Sequence, residues 1–485
     1  MKYDIIIIGC GISSLFYLYS LQKMNSNLKI AILEKKPYTG GRIHSIQIGD
    51  DIIDGGALRF NKNHKHLIQL LDELGITNYA KLASKKSVVL SKQLREKFGA
   101  FLRKTSRKKY ADYPFSSVAK LFFTKDEYTT IKLWFGYDEE WDNIQCYHLS
   151  KIILSNYDAD EYYYFPEGYS IVPDAIYSSI KDNKNYHFYF GKKVAKISHP
   201  NNIYTFDNTH FTGEHIIFAC PPYYISKMEG TEDLTPLIGC VGWITLNRVY
   251  AKIPNHGFPK KAIHSNSPIC QIVPINDDIV MISYSTGTDA KFWIEQEQNG
   301  TLWKTLRECL DPYFLVGAIS TKKPEWIRQN YWNPATHYFK PGCIPSDIQY
   351  KSFQPCSTKK WHIIGEAFSL NQGWVNGALE NTKEFLSYCN HNEGIPGIPI
   401  IPTSNHDTLN KKIKLKEVQK HGKKEDAWIG LFGNVYDITK WIDIHPGGDV
   451  ILYGIGKDAT EMFTNVGHQA DALQFLEKYR IGTLV

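Results

Sequence analysis

The chain has 485 residues, too many for one ordinary core, so two or three separately cored domains are expected. With 43% hydrophobic and 22% charged residues it sits near globular averages, which excludes a wholly disordered or fibrous protein. A net charge of +6, concentrated in two local runs at residues 92–109 and 411–424, gives no continuous basic face, so nucleic acid is not an expected partner. The runs read as a solvated face and a linker, with docking of an acidic redox partner or a membrane surface as the other reading. No uninterrupted apolar stretch reaches membrane-spanning length, and the first residues carry no secretory signal pattern. Nine cysteines without a CxxC pair suit reduced thiols, hence a cytoplasmic location.

Residues 3–8 read as a strand whose Ile5 to Ile8 form a continuous apolar run of the kind buried on both faces of a parallel sheet. Gly9-Cys10-Gly11-Ile12-Ser13-Ser14 follows at once, and residues 15–23 then read as a helix. This is a dinucleotide fingerprint, GxGxxS, in the strand-turn-helix setting it requires. Gly9 permits the turn, Gly11 lets the backbone approach a pyrophosphate, and small Ser14 lets helix and strand come close. The helix start offers amide donors to the phosphates. A second strand at 29–33 ends in Glu34, whose carboxylate can accept from ribose hydroxyls and would repel a 2'-phosphate.

Gly40-Gly41-Arg42 adds a backbone approach and a cation for a buried pyrophosphate. With this turn the chain resembles the flavin-containing amine oxidase family, of the L-amino-acid oxidase and monoamine oxidase kind, and the resemblance implies FAD. It continues through Asp54-Gly55-Gly56-Ala57-Leu58-Arg59-Phe60, placing Gly56 and Ala57 near the flavin. It resumes at 191–197, with Val194 at the adenine contact, and at 215–219 followed by Pro221-Pro222. Gly365-Glu366-Ala367-Phe368-Ser369 and Gly373-Trp374-Val375-Asn376-Gly377-Ala378 look like the family's C-terminal flavin motif. There the resemblance puts Glu366 at the pyrophosphate-ribitol region, and Gly373, Trp374 and Val375 beside the isoalloxazine.

The resemblance also gives the substrate clue. In L-amino-acid oxidases the arginine of a similar Gly-x-x-Arg segment binds the substrate carboxylate, which makes Arg59 and Trp374 the candidate catalytic residues; the alternative is that Arg59 ion-pairs within the flavin domain. Two departures stand out. In the strand that matches 241–253, Trp243-Ile244-Thr245-Leu246-Asn247-Arg248 offers no lysine to hold a water at the flavin, and Thr336-His337-Tyr338 occupies the region of the monoamine oxidases' covalent cysteine, so FAD is expected to be noncovalent.

Prolines 396, 399 and 402 mark residues 390–412 as a linker. Beyond it, Asn434-Val435-Tyr436-Asp437-Ile438-Thr439-Lys440-Trp441, His445-Pro446-Gly447-Gly448, Lys457-Asp458-Ala459-Thr460 and Gly467-His468 follow in order. This series closely resembles cytochrome b5. It implies a heme b whose iron is held by His445 and His468 from opposite faces, an electron carrier with no open iron position. Ile438, Trp441, Leu452, Phe463 and Leu473 are candidates for the crevice wall.

The expected architecture is an α/β, Rossmann-like FAD-binding domain in three parts (1–60, 166–222, 348–389) with an inserted α+β substrate domain (61–165, 223–347). A linker (390–412) leads to a small α+β cytochrome b5-like domain (413–485). The expected reaction is hydride removal from a carbon bearing an amine, with electrons leaving one at a time through the heme to an external acceptor protein or O2. A desaturase or oxidase of isoprenoids or porphyrinogens on the same fold, or an electron relay with a non-catalytic flavin domain, are the readings the sequence leaves open.

Overall fold

The computed structural model describes residues 2–82, 88–157, 161–310, 323–391, 412–444, 448–465, 476 and 479–485. It divides into two units, Met1–Pro399 and Ile400–Val485. The strands of the first unit that build the site are, in chain order, β1 (Lys2–Ile8), β2 (Ile30–Glu34), β3 (Tyr186–Phe190), β4 (Val194–Ser198), β5 (Asn202–Thr205), β6 (His210–Phe218), β7 (Val241–Lys252), β8 (Ile279–Thr286), β9 (Trp326–Phe339) and β10 (Trp361–Ile363). The helices used below are α1 (Ile12–Lys23), α2 (Asp138–Asn143), α3 (Ile171–Ile180) and α4 (Val375–His391).

A mixed seven-stranded sheet in the order β3-β2-β1-β6-β5-β4, with β10 also on β6, forms the nucleotide fold. Its central strands are parallel: Ile5 to Ile8 pair with 30–33 on one side and 215–218 on the other. That position explains the unbroken apolar run. Ile5 and Ile7 face a core shared with Leu15, Leu18 and Leu379, while Ile6 and Ile8 face one shared with Val194, Phe218 and Ile363. Both faces are covered, so alternation disappears, and each buried isoleucine contributes roughly 1.5–3 kcal/mol. Helix α1 lies against α3 and α4, which brings the N-terminal fingerprint and the motif that begins α4 into one layer.

A second, antiparallel sheet runs Ile263–His264, Gln271–Pro274, β8, β7, β9. Between the parts of the nucleotide fold, the helices Lys92–Thr105, Phe115–Phe122, Lys125–Phe135, α2 and Cys146–Ile152 share an aromatic core of Phe98, Phe101, Phe115, Trp134, Phe135 and Trp141. The abundance of rings in this stretch is thus mostly core filling.

One expectation is overturned. Cys240 and Cys343, read from the sequence as reduced, are joined in a disulfide with Cα atoms 5.7 Å apart. Strand register is the reason: β7 and β9 start and end opposite one another, Val241 against Phe339, and the Lys340 amide donates to the Cys240 carbonyl at 2.9 Å. Two cysteines 103 residues apart therefore flank the same strand pair. The other seven cysteines, Cys10, Cys146, Cys220, Cys270, Cys309, Cys356 and Cys389, are free. Among the described residues, no helix is long and apolar enough to cross a membrane.

In the second unit a five-stranded sheet joins Asp426–Leu431 and Asn434–Asp437 to the C-terminal strand Arg480–Leu484, with short strands Lys412–Ile413 and Gly422–Lys423 at the edges. Its core contains Leu431, Tyr436, Ile438, Ile442 and Ala459, with Trp441, Leu452 and Phe463 partly buried against it. His445, His468 and Leu473 lie outside the described residues.

Candidate functional site

The two glycine turns of the N-terminal fold meet. Gly9 has φ +109°, and a Cβ there would come within 2.8 Å of the Ala219 carbonyl oxygen, so this corner between β1 and α1 requires glycine. Gly11 has an ordinary negative φ; what it supplies is room, since a Cβ there meets no atom within 4 Å although the residue borders a large cavity. The Gly40 amide donates to the Cys10 carbonyl at 2.9 Å, and Gly41 stands against the Gly11 backbone. Glu34, at the end of β2, accepts from the Cys10 amide at 2.8 Å and the Lys36 amide at 2.9 Å. These amides orient its carboxylate at the cavity wall beside the turn.

Arg42 continues from that turn into a buried polar knot. One of its guanidinium nitrogens donates to Glu366 Oε2 at 2.8 Å and to the Ala335 carbonyl. His337 Nδ1 lies 2.7 Å from the same Glu366 oxygen, and the amides of His337 and Gly373 donate to Glu366 Oε1 at 3.1 and 2.7 Å. Burial opposes ionisation of Glu366, but His337, Arg42 and the Gly373 amide outweigh it and hold the carboxyl well below the usual carboxylate range. Burial pushes the His337 imidazole below the ordinary histidine value, against the pull of the Glu366 carboxylate beside Nδ1. Its Nε2 is buried with no protein partner among the described residues, on a ring that lines the cavity.

The cavity measures about 770 Å³ and runs from these turns to the underside of the second sheet. It is lined by Gly9, Gly11, Glu34, Gly40, Gly41, Arg42, Gly56, Ala57, Arg59, Val194, Glu366, Gly373, Trp374 and Val375, all singled out from the sequence. Ser14 does not line it. The residue is fully buried, and its hydroxyl turns back to the Gly11 carbonyl at 2.9 Å, so it serves helix-to-strand contact and not ligand binding.

Beyond the polar knot the wall becomes aromatic and cationic. Arg59 donates to the Tyr137 hydroxyl, and its guanidinium lies 4.5 Å from the Tyr162 ring centroid. Tyr162 is parallel to Trp374 at 6.1 Å, and His64 meets Trp374 edge-on at 4.7 Å. Tyr137 in turn meets Tyr284 edge-on at 5.7 Å, and Tyr284 lies 5.1 Å from the guanidinium of Arg248. Arg248 went unnoticed in the sequence, where β7 was searched only for lysine. Its signal was the period of two, since Ile244, Leu246 and Arg248 all line the cavity from alternate positions of β7. It is buried, with one nitrogen on the carbonyls of Asp54 and Gly56.

Gly56 is the tightest point. A Cβ there would lie 1.7 Å from the Arg42 carbonyl oxygen, a backbone atom that cannot step aside. Gly56→Ala is expected to cost about 3 kcal/mol or more of stability. Gly11→Ala, whose methyl group enters only the cavity, should keep the melting temperature of the apoprotein and lose FAD affinity. Thermal melts with and without added FAD check both.

Glycine turns without side chains, a carboxylate at the cavity wall beside them at Glu34 and an unpartnered buried nitrogen at His337 together fit FAD laid along the cavity. The comparisons with known proteins agree. The model of the family described as flavin containing amine oxidoreductase matches residues 100–383, that of an NAD(P)-binding Rossmann-like domain matches 7–74, and that of a cytochrome b5-like heme/steroid binding domain matches 414–485. Among solved structures, cyclohexylamine oxidase from Brevibacterium oxydans IH-35A superposes with TM-score 0.63 at 16% identity, covering 81% of this chain and 100% of that one. A putrescine oxidase double mutant gives 0.64 at 13%, covering 80% and 99%. At such identities the likeness is one of fold. The C-terminal segment is 48% identical over 75 residues to cytochrome B5 isoform D of Arabidopsis thaliana, covering 15% of this chain and 54% of that protein. It is 47% identical over 70 residues to cytochrome b5 of Drosophila melanogaster, covering 14% and 52%. The chain thus spans about half the length of the curated relatives it matches. The chain belongs to the flavin containing amine oxidoreductase family, with FAD as its cofactor, and carries a cytochrome b5-like heme domain at residues 414–485.

Proposed function

We propose that this protein oxidises an amine that also bears a carboxylate, of the α-amino-acid class, and passes the electrons through its own heme domain. The observation that carries this reading is the pair of guanidiniums, Arg59 and Arg248, on one cavity wall, joined through Tyr137 and Tyr284. In a partly dehydrated cavity two fixed cations disfavour a simple ammonium ion and favour an anionic group. Arg59 offers the planar fork suited to a carboxylate, while Tyr162 and Tyr137 fix its plane. Ile144, Leu149, Ile152 and Leu246 on the same cavity's wall provide for an apolar side chain.

FAD, when bound, supplies the hydride acceptor. The protein residues orient the substrate carbon, and the aromatic wall of Trp374 and Tyr162 limits water. Two-electron chemistry at a flavin paired with a carrier that has no open ligand position implies stepwise export of electrons to an outside acceptor, a protein or O2. Tethering raises the effective concentration of the carrier.

The test is anaerobic mixing of the FAD- and heme-loaded protein with L-amino acids, with amines lacking a carboxylate, and with apolar polyenes, following both absorbance spectra. Amino acids should bleach the flavin and then produce the spectrum of reduced heme. Preference for plain amines would remove the carboxylate requirement, preference for polyenes would point to a desaturase, and fully reduced flavin beside oxidised heme would remove the internal transfer.

A further inference from the structure

We propose that Glu140 is the subsite for the substrate's ammonium group, so that the cavity selects molecules bearing an amine and a carboxylate together. This rests on the amino-acid reading above and adds its second anchor. Glu140 belongs to α2, and Tyr137 precedes that helix at its start; the Trp141 amide closes the first turn on the Tyr137 carbonyl at 3.0 Å. Residues three apart share a helix face, and both side chains line the cavity. Tyr137 takes its hydrogen bond from Arg59, so the carboxylate anchor and the Glu140 carboxyl border the same tyrosine.

One Glu140 oxygen is buried with no hydrogen-bond partner among the described residues. A buried acid left in that state lacks a counter-charge, and an incoming ammonium supplies one. Burial, and then the nearby Glu139 and Asp138, push its carboxyl up to about 8, so in the empty cavity at neutral pH it is largely protonated. On the cavity side, Tyr137 stands between Glu140 and Arg59, and Arg248 and Tyr284 line the same cavity. Of the helices against α2, Lys125–Phe135 brings Lys132, which is paired with Asp138 and Asp142, and Tyr128, which is bonded to Trp141. Phe115–Phe122 has Lys120 as its only charged residue, and that side chain is exposed.

The chemistry balances. Glu140 releases its own proton to solvent as the zwitterion docks and then takes one proton from the ammonium, leaving a nitrogen lone pair. That pair forms the C=N bond as the Cα–H bond breaks, its two electrons leaving as hydride to FAD, and the product is an iminium that water hydrolyses.

The sign of the pH dependence follows. A carboxylate ligand without an amine binds best while Glu140 is protonated and weakens as pH rises through about 8. An amino acid shows the opposite trend while its own ammonium stays charged.

The test uses the FAD-loaded full chain without oxygen, with L-phenylalanine and L-leucine beside their deamino counterparts 3-phenylpropionate and 4-methylpentanoate, over pH 6 to 9. Glu140→Gln should weaken amino-acid binding about thirtyfold or more. It should also hold deamino-acid binding at its low-pH strength throughout, whereas Asp138→Asn, which removes one of the charges that raise Glu140, keeps the discrimination and only moves its pH transition downward. Flavin reduction by amino acids in a Glu140→Gln protein that discriminates as the wild type does overturns this inference alone. No reduction by any amino acid in the wild type overturns the amino-acid reading and this inference together. If Glu140→Gln does not retain FAD, the wild type decides, because pH-independent binding of 3-phenylpropionate overturns the assignment.

Discussion

Replacing Arg59 with alanine is expected to lower the rate of flavin reduction by an amino acid, measured as kcat/KM or its single-turnover equivalent, by roughly 150-fold. The estimate comes from two charge-assisted hydrogen bonds lost at once, worth about 3 kcal/mol together, at 1.4 kcal/mol for each factor of ten. Arg59→Lys should recover only part of this loss, since an ammonium keeps the charge but not the fork. Arg59 is half-buried and meets Tyr137 and Tyr162 at the cavity wall, away from the knot around Glu366, so FAD content should stay near wild type. Stopped-flow bleaching under anaerobic conditions reads the effect. Equal losses for an amino acid and for the amine lacking its carboxylate would show that Arg59 holds the wall together and does not hold substrate.

Replacing His445 with alanine should have an effect of similar size, because it removes one of the two imidazoles that the C-terminal landmarks assign to the iron. Heme content should fall, and turnover with ferric cytochrome c as acceptor should drop by at least about a hundredfold, as the proposed route through the heme requires. Flavin reduction in a single anaerobic turnover should be unchanged, since the flavin unit and the C-terminal segment are separate compact bodies. His468→Ala should behave alike. Undiminished turnover with cytochrome c in either variant would mean that electrons leave directly from the flavin.

The nucleotide fold was legible because its code is local. An apolar run, a glycine corner and a terminal acid each act within a few residues, and β1, Gly9 and Glu34 stand where those patterns imply. Ser14 shows the limit: a fingerprint position identifies a small residue but not whether it faces ligand or core. The substrate wall was harder to read because it is assembled from distant segments. Arg59 follows Gly56 in no repeating pattern, Arg248 depends on the alternation of β7, and Glu140 depends on a short helix that Tyr137 precedes. The Cys240–Cys343 bond likewise follows from the pairing of β7 with β9, which no spacing of cysteines discloses.

The weave of the first sheet has a consequence for synthesis. Residues 2–8 of β1 lie against 212–218 of β6, and β6 is completed by 361–363 of β10, so a ribosome must deliver three quarters of the chain before the oldest strand's sheet can close. Contacts this distant close slowly, and until they do β6 presents an open edge to neighbouring nascent chains. A message cut short before codon 361 would release that sticky edge, whereas one ending just past codon 391 would release a finished flavin unit without its heme domain.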